Sequence, residues 1–383
     1  MEEFDVIVVG AGIMGSSTAY NCIKKGCKTL LLEQFPLPHA RGSSTGHSRI
    51  TRKAYSKELY ANMMPEAYKL WSELETETNT QIYKKTGGII IGKANVRYSE
   101  YEKVLKELKT EVLSLTENEI VEMLPNTNYY GFQGICDPEA GVLFADKAVK
   151  SFQSAFLRRG GSLKENEKLV NISTGSIVKI TTTKGIYNGK SLIVCAGSWT
   201  NKILSELDLK LPLNPRYVKV CYWKVKDGLK KSNLPVLIDV NGVNYHGVRE
   251  GVYGTPPEEY PDFYKVCMHG GKDLSDPDFR DGSDDGEEVK IISNYVSKYM
   301  PFLDSRPAIV ETCIYTMTPD EDYIIDRHPN CNNIFFGAGF SGHGFKLAPV
   351  VGKLLSEMVL KQPTTFNTAP FSLHRFRNST SKL

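Results

Sequence analysis

No stretch of these 383 residues stays apolar for long enough to cross a membrane; the longest apolar runs are strand-sized and broken by glycine or charge. No pair among the eight cysteines has a CxxC or paired zinc-type spacing, which argues against a metal site. Several sit in apolar runs, Cys195 within 192–196 for example, where a reduced, buried thiol is expected, as in a reducing compartment. Charge of one sign is lacking too. The 47 Lys and Arg exceed the 44 Asp and Glu by three, too few for nucleic acid as the main partner. Internal repeats and low-complexity segments are missing. Glu2, Glu3 and Asp5 stand where a secretory leader would carry basic residues, so no leader is expected.

What is present reads as an ordinary globular balance, 41% hydrophobic and 24% charged, with a length that suggests two interleaved domains. The last three residues, Ser381-Lys382-Leu383, form the tripeptide read by the peroxisomal import receptor.

The chain opens on a βαβ unit. Residues 4–9 form a short apolar run, expected as a buried parallel strand. Gly10-Ala11-Gly12-Ile13-Met14-Gly15 follows at once. Residues 13–25 are expected as a helix ending at Gly26, and 29–32 as a second strand closed by Glu33. Further on, 57–80 has a helical spacing that Pro65 should kink or divide. Residues 100–123 read as helical, charged and superficial, and 145–159 as a helix stopped by Gly160-Gly161. Strand-like pieces include 216–226 and 244–254. The acidic stretch 273–288 is expected as an exposed loop, and a last helix spans about 345–361.

Gly10, Gly12 and Gly15 make a G-x-G-x-x-G in the context that gives the pattern meaning. The first permits a tight turn, the second lets backbone approach a pyrophosphate, and the third lets helix pack on strand. The helix N-terminus then offers unpaired N–H groups to negative charge. Glu33 can accept from ribose hydroxyls. This unit alone does not separate NAD from FAD. Three later segments favour FAD. Arg41-Gly42-Ser43-Ser44 offers hydroxyls and backbone donors. Residues 194–199, with Ala196, Gly197 and Trp199, make a second strand-to-glycine turn. The glycine-rich run 337–344, with Gly342 and Gly344, would aim a helix N-terminus at the flavin pyrimidine.

The expected fold is α/β (α+β overall). A Rossmann-like FAD-binding domain takes 1–84, 146–215 and 311–383, and an inserted, mainly antiparallel β substrate domain takes 85–145 and 216–310.

Five segments, 8–15, 42–52, 265–269, 313–321 and 339–346, together carry a resemblance across essentially the whole chain. They resemble the monomeric sarcosine oxidase family, on the side of its animal peroxisomal sarcosine oxidase / L-pipecolate oxidase members. The resemblance implies that Cys313 joins FAD covalently through a thioether. It implies that Arg52 and Lys346 hold the substrate carboxylate, for which paired cations and a bidentate guanidinium are suited. Lys265 would activate oxygen, and His269 would sit near the substrate. Lys265 and His269 project the same way from a strand, because their spacing is even. Arg49 would contribute positive field, and Tyr253 and Tyr315 would line the pocket. Ile13, Met14, Gln34, Val170 and Phe345 complete the expected cofactor set. Thr45 stands where related enzymes carry histidine, with His47 two positions on, and Met317 where they often carry asparagine. The second departure bears on pocket polarity.

The activity implied is oxidation of a small secondary amino acid, sarcosine or L-pipecolate and more weakly L-proline, at its C–N bond. Oxygen is the acceptor, the products are an imine and hydrogen peroxide, the chain is a monomer and the place is the peroxisome. Three alternatives stand beside it: an FAD dehydrogenase serving a protein partner, a NAD-dependent dehydrogenase, and a non-catalytic nucleotide-binding protein.

Overall fold

The computed structural model describes residues 2–94, 96–109, 112–226, 234–280 and 286–376. The tripeptide at 381–383 lies outside them.

The strand Glu2–Val9 lies at the middle of an eight-stranded sheet. It pairs in parallel with Thr29–Leu32 on one side and Ile186–Val194 on the other. Ser162–Lys164, at one edge, and Ile334–Ala338 extend this parallel core, and antiparallel strands finish the sheet on the Ile186–Val194 side. The apolar runs of Glu2–Val9, Thr29–Leu32, Ile186–Val194 and Ile334–Ala338 are buried on both faces of this sheet. The helices Ile13–Lys24 and Ala348–Val359 cross closely on this sheet; a Cβ added to Gly352 would come within 2.3 Å of Ser17 Oγ.

A nine-stranded sheet holds the other half of the chemistry. Its pairings are antiparallel except that Val236–Tyr245 runs parallel to Gly88–Gly92. Alternation sorts its side chains. On Phe263–Met268, the residues Tyr264, Val266 and Met268 enter an apolar cluster, while Lys265 faces the other way. On Asn214–Lys224, Cys221 and Trp223 enter that same cluster, and Val220 and Tyr222 join Cys313 on the opposite face. A third, three-stranded sheet joins Ser48–Thr51, Gly141–Phe144 and Tyr83–Lys85.

Several expectations are corrected. The boundary expected at 311 falls inside the strand Ile309–Met317. That whole strand pairs with Asn214–Lys224, so Cys313 belongs to the nine-stranded sheet. Pro65 does not divide its helix, which runs unbroken as Glu58–Thr78. Its own face is exposed, while Met63, Met64, Trp71 and Leu74 are buried and hold the turns on either side. The segment 100–123 is two helices, Val96–Glu107 and Glu117–Met123, around the short strand Leu113–Leu115. The first of them buries Tyr98, Tyr101, Val104 and Leu105, so it is not simply superficial. The piece 244–254 is a hairpin, Val236–Tyr245 turning into Val248–Thr255 at His246-Gly247. The acidic stretch 273–288 includes a 3-10 turn, Pro277–Phe279, docked by Asp278 on Trp199 and Lys202, and its end starts the helix Glu287–Tyr299. Residues 281–285 of it lie outside the described set.

Candidate functional site

The first βα turn is built as a cradle. Gly10 has φ +99°, and a Cβ there would lie 2.5 Å from the Cys195 carbonyl oxygen. A Cβ on Gly15 would lie 1.7 Å from the Gly10 carbonyl oxygen, so only glycine permits this strand-to-helix approach. Gly12 opens the helix Ile13–Lys24 with no side-chain cap and no acid in the first turn. Its amides meet two acceptors: Ala11 N–H donates to Glu33 Oε2 at 2.9 Å, and Ile13 N–H donates to Ser44 Oγ at 2.9 Å. A helix start without an acid in its first turn, a glycine-only turn and a buried acid ending the second strand fit a dinucleotide with free ribose hydroxyls. Met14 is buried against this turn, within reach of Gly344. Gln34, Arg41, Ser43, Ala196 and Gly197 are half-buried around it. Arg41 donates to the Asp278 carbonyl, and Arg280 donates to the carbonyls of Ala40 and Arg41. Trp199 Nε1–H donates to Asp278 Oδ1 at 2.6 Å. Val170 is exposed at a bulge in Leu169–Ser173.

Beyond the turn opens a cavity of about 900 Å³. Arg49, Arg52, Tyr253, Lys265, His269, Cys313, Tyr315, Gly342, Phe345 and Lys346, all singled out from sequence, line it. They come from four separate parts of the chain. Met317 does not: it is buried at the end of its strand, so the expectation that it alters pocket polarity finds no support among the lining residues. Gly342 has φ +75°, and a Cβ there would lie 2.5 Å from His269 Cε1 and 2.6 Å from Tyr315 Cε2. The glycine-rich loop therefore closes directly on both rings.

Arg52 and Lys346 meet across one tyrosine that sequence reasoning did not single out. Lys346 Nζ donates to Tyr55 Oη at 3.0 Å and to the His343 carbonyl at 3.0 Å. The Arg52 guanidinium lies 4.3 Å from the centre of the Tyr55 ring and donates to Tyr101 Oη at 3.2 Å. The two side chains are 9% and 6% exposed, yet neither is paired with a carboxylate among the described residues. Burial, then Arg52, holds the Lys346 ammonium well below the usual lysine range. Two buried cations without an anion make a seat for one. The helix Glu58–Thr78 fixes the seat, because Trp71 Nε1–H donates to the Lys346 carbonyl at 2.9 Å.

Burial also lowers His269; Lys346 and Arg52 add to this, and Glu321 opposes it. His269 is a neutral imidazole beside Tyr315, ring centres 5.3 Å apart. His343, also outside the expected set, has its Nε2 at 3.0 Å from the Glu321 carbonyl and its Nδ1 at 2.9 Å from Tyr323 Oη. A carbonyl can only accept, so Nε2 carries the proton and Nδ1 accepts from the tyrosine.

Lys265 is not a free cation. Its Nζ lies 3.0 Å from Glu259 Oε1 and 3.2 Å from Ser48 Oγ. Burial pushes the Glu259 carboxyl up, but the Lys265 charge with hydrogen bonds from Ser48 and Tyr222 outweighs it and brings it to about 2. Arg49 is occupied as well, donating to the carbonyls of Ser48, Ser43 and Thr45. Cys313 is a free thiol on the cavity wall.

Residues 5–358 match the family described as FAD dependent oxidoreductase, DAO. Human peroxisomal sarcosine oxidase is 41% identical over 382 residues, 97% of this chain and 96% of that protein. Monomeric sarcosine oxidase of Bacillus sp. (strain B-0618) is 35% identical, again over 97% of this chain and 96% of that one. Among solved structures, L-proline dehydrogenase from P. horikoshii aligns with a TM-score of 0.84, covering 99% of both chains at 21% identity, which speaks for the fold alone.

Proposed function

We infer that this chain, which belongs to the FAD dependent oxidoreductase family, oxidises a small secondary amino acid at its C–N bond and delivers the electrons to oxygen. The observation that carries the reading is the pair of buried cations, Arg52 and Lys346, sharing Tyr55 and lacking a carboxylate among the described residues. Gly10, Gly12, Gly15, Glu33 and Ser44 would hold the dinucleotide part of FAD, and Cys313 would tether its ring system covalently. When bound, FAD accepts a hydride equivalent from the carbon next to nitrogen and passes the electrons on.

The chain's own residues do the rest. Arg52 and Lys346 dock the carboxylate and so fix the reacting carbon, a proximity effect worth several orders of magnitude. His269, neutral, lies where the amine arrives and does not repel it. Tyr253, Tyr315 and His269 exclude water from one side of the cavity, and Lys265 supplies a cation for oxygen reduction. The imine is released and hydrolysed when acyclic.

The two curated relatives are named for sarcosine, so sarcosine leads, with L-pipecolate and L-proline as cyclic candidates. The human relative is also named as peroxisomal. The same address suits this peroxide-forming chain, with Ser381-Lys382-Leu383 as the segment an import receptor would read. It is expected to act as a monomer.

The experiment is aerobic incubation of the purified protein with sarcosine, L-pipecolate, L-proline and glycine, following peroxide. Peroxide from the secondary amines and little from glycine supports the reading. One observation favours a second reading: Glu259 offsets the charge of Lys265. A dehydrogenase serving a protein partner would bleach its flavin anaerobically with substrate yet release no peroxide in air. Covalent attachment predicts that yellow colour stays with acid-precipitated protein and is lost from it in Cys313→Ser.

A further inference from the structure

We propose that Glu259 is the positioning residue for Lys265: its carboxylate holds the ammonium against Ser48 on the cavity wall. The proposal rests on the FAD reading above.

The geometry leaves the lysine little freedom. Its three N–H groups meet Glu259 Oε1 at 3.0 Å, Ser48 Oγ at 3.2 Å and the Ser48 carbonyl at 3.5 Å. The two charged side chains are 6% and 2% exposed. An ammonium buried this deeply sheds its proton readily unless an opposite charge lies beside it. Glu259 supplies that charge from the turn joining Val248–Thr255 to Phe263–Met268. The carboxylate is itself fixed, because Tyr222 Oη donates to Glu259 Oε2. Tyr222 also lies 3.2 Å from Glu311 Oε2, and Tyr260 Oη donates to Glu311 Oε1 at 2.6 Å. The titratable groups facing Lys265 are therefore Glu259, Tyr222, Glu311 behind Tyr222, and Cys267 on its own strand. Of these, Glu259 alone is in ion-pair contact with it among the described residues. Removing one partner of a buried pair strands the other charge. A neutral glutamine at 259 would leave the ammonium with Ser48 only, and its proton would leave at lower pH.

The test is the flavin midpoint potential of the holoenzyme, followed from about pH 6 to about pH 10, a window that spans lysine titration on its acid side. Reduced flavin is anionic, so a nearby cation raises the potential and its loss lowers it. In Glu259→Gln the potential should start above wild type and fall through an inflection as Lys265 loses its proton. Wild type, Glu259→Asp and the double variant Glu259→Gln/Lys265→Met should lack that inflection. A Lys265→Met enzyme gives a separate reading, because Glu259, stranded without its cation, should titrate at the acid end of the window. Parallel curves for wild type and Glu259→Gln overturn the proposal, as does an inflection that survives in the double variant. Should Glu259→Gln not retain flavin, a flat Lys265→Met curve overturns it equally. A wild-type protein that binds no flavin sinks the FAD reading itself, and this inference with it.

Discussion

Tyr55 touches both cations that await an anion, and this makes Lys346 the residue whose removal is most informative. Lys346→Met takes away one charge-assisted donor and leaves Arg52 with Tyr101 and the Ala54 carbonyl. A charged hydrogen bond of this kind contributes about 1.5 to 3 kcal/mol, so kcat/KM should fall about 10- to 150-fold. Burial and Arg52 lower the Lys346 pKa, which adds a pH signature. Affinity for acetate, a carboxylate that does not titrate above pH ~6, should decline as pH rises through the lowered lysine value. In Lys346→Met it should be weak throughout and lack that decline; a matching decline in both would detach it from Lys346. Gly342→Ala tests the other wall. With φ +75° and rings at 2.5 and 2.6 Å, a methyl must push His269 or Tyr315 aside, and steady-state assays should show KM rising while flavin content holds. Part of this site could be read directly. Lys265 and His269 do line one cavity as their spacing suggested, although His269 stands one residue past the end of Phe263–Met268, and the glycine pattern marked the cradle. Tyr55, Tyr101 and Glu259 could not be read so, because their roles come from residues up to hundreds of positions away. Nothing local distinguishes Glu259 from Glu258, which instead meets Lys84 at 2.8 Å.

At the scale of an element, the helix Glu58–Thr78 carries a proline against its local interest. Pro65 has no N–H to donate to the Ala61 carbonyl, and interior proline costs a helix up to about 3 kcal/mol. The apolar side of the helix outweighs this. Met63, Met64 and Trp71 are buried in the same core as Ala348–Val359, and each such side chain contributes roughly 1.5 to 3 kcal/mol. Pro65 is exposed, so Pro65→Ala should raise the melting temperature in calorimetry by a few degrees, equivalent to about 1 to 2 kcal/mol. A lower melting temperature would mean that the proline-shaped helix is needed to present Trp71 to Lys346. The same reasoning explains what was legible among the elements. Periodicity located the helix, and single-residue rules such as proline breaking failed where tertiary burial was larger. It also explains the boundary near 311. The apolar pattern of Ile309–Met317 suits a strand in either sheet, and only its long register with Asn214–Lys224 decides which.

For the whole molecule, the acid limb of stability follows from groups held in shifted states. Desolvation lowers His269 and His343 from an ordinary value of 6.5, His343 well below it. The unfolded chain then binds more protons than the folded one as pH drops below about 6.5, so stability falls with pH in that window. Glu259 acts lower down. Its folded value of about 2 lies beneath the ordinary 4.5, so the stability it contributes is complete above 4.5 and is lost as pH falls toward about 2. Thermal unfolding should therefore weaken in two stages, first from near pH 6.5 and again below about pH 4.5. His343→Gln separates them. Glutamine can still accept from Tyr323 and donate to the Glu321 carbonyl, but it takes up no proton. The first stage should shrink in that variant and the second should remain. If the first stage is unchanged, the early acid loss comes from other groups, and the neutral His343 seated behind Lys346 is not what binds the integrity of the cavity to pH.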